Sequence, residues 1–119
     1  MQYMLLIYND ESSWSTMSEQ ESQALMGEYF AYTEWLQKSG LMQAGAPLQP
    51  TPTARTVRVR DGERIVSDGP FAETREQLGG YYLIDAETEE QALEAAARIP
   101  DVRRGSIEVR PVMQIPATA

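Results

Sequence analysis

A chain of 119 residues has the length of one ordinary domain, enough to bury a core and too short to hold two. With 18 acidic against 10 basic residues, its net charge of −8 repels a phosphate backbone, and Arg103-Arg104 is too short a run to make a basic stripe, so nucleic acid is not an expected partner. Cysteine and histidine are both absent, which excludes disulfides, thiolate nucleophiles and cysteine-ligated zinc, and removes the usual acid–base group near neutrality.

The opening MQYMLLIYNDES carries a short apolar run with no basic segment before it. That is too little for a signal peptide or a membrane span, and a cytoplasmic protein with no membrane partner is the expectation. Tyr3 to Tyr8 reads as a strand buried on both faces. Ser18 and Glu21 form a capping box, and Leu25, Met26, Tyr29, Phe30, Thr33 and Leu36 recur at helical spacing until Gly40, which predicts a helix over 19–38. A second strand is expected over 41–46, followed by a proline-rich connector. Thr56 to Arg60 alternates, with Val57 and Val59 opposite Arg58 and Arg60; Asp61-Gly62 supplies a tight turn, and 63–67 is the return strand of a hairpin. Arg58 and Arg60 suit a solvated strand edge. Gly80 to Asp85 reads as another buried strand. Thr88 and Gln91 look like a second capping box, opening a helix that Pro100 ends, and Ser106 to Val112 alternates as a last strand. The expected domain spans 1–113, with a loose tail over 114–119.

The order predicts an α+β, ferredoxin-like βαββαβ sheet with an additional β-hairpin and two helices on one sheet face. Both YMLLIY and YYLI are apolar on their two faces, so the face without helices must meet something other than water. A second copy of the sheet is the most economical cover, which predicts a homodimer.

Between the hairpin and the next strand lies SDGPFAETREQLGG. Asp68-Gly69-Pro70 reads as a corner, with the Asp68 carboxylate accepting backbone N–H bonds and Phe71 tucking into the core. Glu73 with Gln77, or Thr74 with Gln77, suits a single helical turn. The alternative is that Asp68, Glu73 and Glu76 project into a pocket as general acids or bases. Three carboxylates suit a hard cation in principle, but the spacing matches no known metal loop, and neither metal nor cofactor is expected. Tyr8, Phe71, Arg75 and Tyr81 are the candidate ligand-pocket residues, and Trp14 suits either a pocket lid or a core cap. Arg103 and Arg104 are candidate ion-pair partners for Glu73 or Glu76.

SDGPFAETREQLGGYYLID, EEQALEAAARIP and GSIEVRPV, together with the opening MQYMLLIYNDE, resemble the DGPF-type branch of the YCII-related family over almost the whole chain. The resemblance implies a ferredoxin-like fold assembled as a dimeric α/β barrel. Asp68, Gly69, Pro70, Phe71, Glu73, Glu76, Gly79 and Gly80 match the family pattern, and Arg75 stands where a lysine is common. A histidine–aspartate pair is proposed as catalytic in the wider family, and related dimeric barrels carry out lactone isomerisation or dechlorination; with no histidine, that pair does not transfer here. Some members are encoded beside extracytoplasmic-function sigma factors. Two classes therefore stand open. One is a small-molecule-binding barrel with carboxylate chemistry near the DGPF segment; the other is a non-enzymatic regulatory protein with a protein partner.

Overall fold

Alternation in the first strand decides which way the sheet faces. In the computed structural model, which describes residues 1–116, strand β1 (Gln2–Asn9) buries Tyr3, Leu5, Ile7 and Asn9 and leaves Met4, Leu6 and Tyr8 half-buried on the other side. The same alternation recurs in β5 (Gln77–Asp85), where Gly80, Tyr82 and Ile84 are buried. Strands β2 (Met42–Pro47) and β6 (Ser106–Pro111) complete an antiparallel sheet of order β2-β5-β1-β6. With two long helices between the strands, this is the ferredoxin-like arrangement.

Both helices lie against the face carrying Tyr3, Leu5 and Ile84. A short helix α1 (Ser12–Ser15) precedes α2 (Glu19–Lys38), and α3 (Glu89–Ala97) follows β5. The Ser18 hydroxyl accepts the Glu21 backbone N–H while the Glu21 carboxylate accepts that of Ser18, so the capping box is complete. The second cap is built differently from the sequence expectation. Thr88 accepts the Gln91 N–H, but the Gln91 side chain accepts from Glu87 instead of closing the box on Thr88. Tyr32 and Leu36 of α2, with Ala92, Ala95 and Ala96 of α3, fill the core, and the Tyr32 hydroxyl ties the helices by donating to the Ala95 carbonyl at 2.7 Å. The small alanines let α3 approach closely.

The hairpin stands apart as its own two-stranded sheet, β3 (Arg55–Arg60) with β4 (Glu63–Asp68). Asp61 and Gly62 both take positive φ, 52° and 77°, as the tight turn requires. Val57 pairs with Val66 across the ladder, and Val57 and Val59 are 59% and 61% exposed, so the hairpin carries an apolar face that nothing among the described residues covers. The molecule is correspondingly thin and wide, 51 × 48 × 18 Å. Val112 still hydrogen-bonds back to Gln2, whereas Met113 and Ile115 are exposed; the end of the expected tail, 117–119, lies outside the described residues. Among the described residues no helix is long and apolar enough to cross a membrane.

Candidate functional site

Helix α2 rests on side chains at one end of the sheet and on glycines at the other. Its C-terminal half meets Leu5 and Ile84 in the core, but beneath its N-terminal half the strands present Gly45, Gly79 and Gly80. Gly45 is required there, because a Cβ would stand 2.7 Å from the Tyr82 ring. The missing side chains leave a cavity of about 450 Å³ between helix and sheet, within the usual range of small-molecule sites. Leu25, Met26, Tyr29, Phe30 and Thr33 roof it, and Ile7, Asn9 and Tyr82 rise from the sheet. Trp14, Met17 and Pro47 stand around it.

The segments bearing Trp14 and Pro47 are fastened by polar contacts. Glu11 accepts both the backbone N–H and the hydroxyl of Thr51 at 2.7 Å, while the Glu11 N–H donates to the Gln77 side chain at 2.9 Å. Asp10 accepts the N–H and hydroxyl of Ser12, which turns the chain into α1 and holds the Asp10 carboxyl below its ordinary value. Trp14 is thereby held beside the cavity, half exposed.

Three polar groups converge inside. The Tyr29 hydroxyl donates to Oδ2 of Asp101, a residue only 2% exposed on the 3-10 turn Pro100–Arg103, and Arg104 donates to the other oxygen, Oδ1, at 2.8 Å. Burial, followed by the hydrogen bond and charge of Asp101, pushes the Tyr29 phenol far above its ordinary range, so it stays protonated. Thr33 and Tyr82 share a hydrogen bond of 2.9 Å, and burial raises Tyr82 as well. Asn9 is the third group. It is 3% exposed, and its amide, which makes no side-chain hydrogen bond among the described residues, keeps its remaining accessible surface at the nitrogen and oxygen.

The residues singled out from sequence lie largely elsewhere. Asp68 is exposed and pairs with Arg55 at 3.2 Å; it does not accept the backbone bonds expected of it. The corner is tied instead by Gly69, whose N–H donates to Ala54 and whose carbonyl accepts the Thr56 hydroxyl. Phe71 is 79% exposed and does not tuck into the core. Residues 73–77 form bends and the start of β5 rather than a helical turn, with Glu73 and Arg75 exposed and Glu76 accepting the Ser106 hydroxyl at 3.0 Å. Asp68, Glu73 and Glu76 are therefore not gathered in the cavity, and among the described residues no three such groups cluster as a metal site. Tyr8 lies on the face away from α2. Tyr81 borders the cavity, yet its register opposite Leu6 assigns its side chain to the outer face. Arg103 and Arg104 pair with Glu28 and Asp101, not with Glu73 or Glu76.

Sequence reasoning missed Asn9 and Asp101. A polar residue closing an apolar alternating strand, in phase with its buried side, was the available signal for Asn9. Asp101 follows Pro100, whose sequence signal is only that of a helix stop.

Comparison with known proteins places these features in context. The sequence matches the YCII-related domain over residues 1–116. It is 43% identical over 114 residues to an uncharacterised protein of Rhizobium meliloti (strain 1021), covering 94% of this chain and 92% of that protein. Among solved structures it is similar to the 5-chloro-2-hydroxyhydroquinone dehydrochlorinase of Burkholderia phenoliruptrix AC1100 in complex with 2,5-dihydroxybenzoquinone. That similarity has a TM-score of 0.49 and 13% identity, and covers 95% of this chain and 94% of the other.

Proposed function

The chain belongs to the YCII-related domain family, and on that premise we propose that it is a cytoplasmic homodimer that binds a small molecule in the cavity between α2 and the sheet. One observation carries the reading. A half-open cleft of about 450 Å³ is lined by apolar and aromatic side chains and contains a few converging polar groups, which is the composition of a ligand site rather than of a packing defect. Binding is the activity that these residues support. Carboxylate catalysis by Asp68, Glu73 and Glu76 would require burial that a single copy does not supply.

Two features support the dimer. Met4, Leu6, Tyr8, Tyr81 and Leu83 make an apolar outer sheet face without helices, and the β3–β4 hairpin adds its exposed valines. The radius of gyration is 16.7 Å, against about 13.5 Å for a compact domain of this length. A chain that extended gains its missing burial by packing against a second copy.

A thermal-shift screen of small aromatic and alicyclic molecules tests the binding reading. Hits should raise the melting temperature of the native protein and fail with Phe30→Asp, which puts a charge into the cavity roof at an exposed position. Hits unaffected by that variant would place the binding elsewhere.

A further inference from the structure

The chemistry of the cavity wall narrows the ligand, an inference that rests on the binding reading above. We infer that the cavity selects an uncharged, flat molecule of about two rings that carries a donor beside an acceptor on one edge, and that Asn9 reads this edge.

Asn9 supplies the first observation. It is 3% exposed and its amide is unpartnered among the described residues, yet no fully enclosed side-chain nitrogen or oxygen lacks a hydrogen bond. The little surface that Asn9 retains therefore includes both amide atoms, and Asn9 lines the cavity. An amide offers one acceptor and two donors side by side. At the base of a mostly apolar cleft it favours a ligand that answers both, since a buried polar group left unmatched is costly. Gly79 leaves the amide oxygen uncovered on the strand side, because a Cβ added there would sit in van der Waals contact with Asn9 Oδ1, at 3.6 Å.

Charge supplies the second observation. No lysine or arginine lines the cavity. Its single carboxylate, Asp101, is already matched by the Arg104 guanidinium and the Tyr29 hydroxyl. An entering anion would lose its hydration, meet no cation and face the Asp101 charge; an entering cation would find that charge already neutralised. Size and shape follow from the walls. A dry cavity of about 150 Å³ accommodates one benzene ring, so the present volume of about 450 Å³ admits two rings with substituents. The glycine floor and the rings of Trp14, Tyr29 and Phe30 favour a flat one.

Calorimetric titration at neutral pH with 2-naphthamide, 2-naphthoate and naphthalene tests this. The amide should bind at least tenfold tighter than the isosteric carboxylate and the bare ring. In Asn9→Leu the amide should lose its advantage over naphthalene measured on the same variant, whose native circular dichroism and cooperative melting show that it is folded. Naphthoate binding as tightly as naphthamide, or naphthamide indifferent to Asn9→Leu, would overturn the inference while leaving the cavity a ligand site. Failure of all three probes to bind the native protein would overturn the binding reading and this inference with it.

Discussion

Replacing Asn9 with leucine should make the protein more stable. The residue is buried at the end of β1 with its amide unpartnered among the described residues, and its backbone is not in the left-handed region, so leucine fits without strain. A buried polar group left unsatisfied costs about 1–3 kcal/mol, and the cavity discounts this because the amide retains some accessible surface. Leucine has the same branched shape and somewhat greater volume, and it adds apolar surface to a wall that Ile7 and Leu25 also line. A net gain of about 1 kcal/mol is expected, or about 3–6 °C in melting temperature for a domain of this size. Urea unfolding at fixed protein concentration, with calorimetry alongside, measures it; concentration must be fixed because assembly stabilises by mass action. A group retained at a cost to stability is the mark of a functional position. If Asn9→Leu instead melts earlier by several degrees, the amide holds the end of β1 and the ligand-reading role falls.

Gly105→Ala should abolish folding or cost well over about 3 kcal/mol, because the new Cβ would stand 2.0 Å from the Tyr8 carbonyl oxygen and backbone cannot yield there; a soluble variant with native circular dichroism would contradict the packing. Leu6→Arg, on the outer sheet face, should convert a species of twice the 13.4 kDa chain mass into the monomer in sedimentation, and a native protein already monomeric at micromolar concentration would sink the dimer. Tyr29, Tyr32 and Tyr82 are all raised from the ordinary value of 10.0, chiefly by burial. The folded state therefore holds these protons more tightly than the unfolded chain, and the stability they contribute is whole below pH 10 and lost as pH climbs beyond it. Tyrosinate absorbance at 295 nm from these three should appear only with unfolding; its appearance in the native fold near pH 10 would show them to be accessible.

Much of the fold was legible because it rests on local patterns. Helix α2 runs over Glu19–Lys38 as the capping box and Gly40 implied, and the Asp61-Gly62 turn fixed the hairpin. The strand order follows from the alternation of elements. The site was less legible, for a physical reason: the cavity is made by absent side chains at Gly45, Gly79 and Gly80, which reach one place only through the register of β2, β5 and β1. Acidic residues such as Asp68 and Glu73 stand out in sequence because they are charged, but solvent-exposed charges need no site to explain them. The DGPF corner delivers the chain to β5, whose glycines floor the cavity, and takes no part in its lining.

The side-chain amide of Asn9 can be watched directly. With ¹⁵N-labelled protein, titration of 2-naphthamide should move the two Asn9 side-chain N–H resonances saturably, together with the indole N–H of Trp14, while Phe71 and the hairpin backbone at Val57 stay still. Resonance shifts confined to the DGPF segment or the hairpin, with Asn9 unmoved at saturation, would contradict the assignment of the ligand site to the cavity beneath α2.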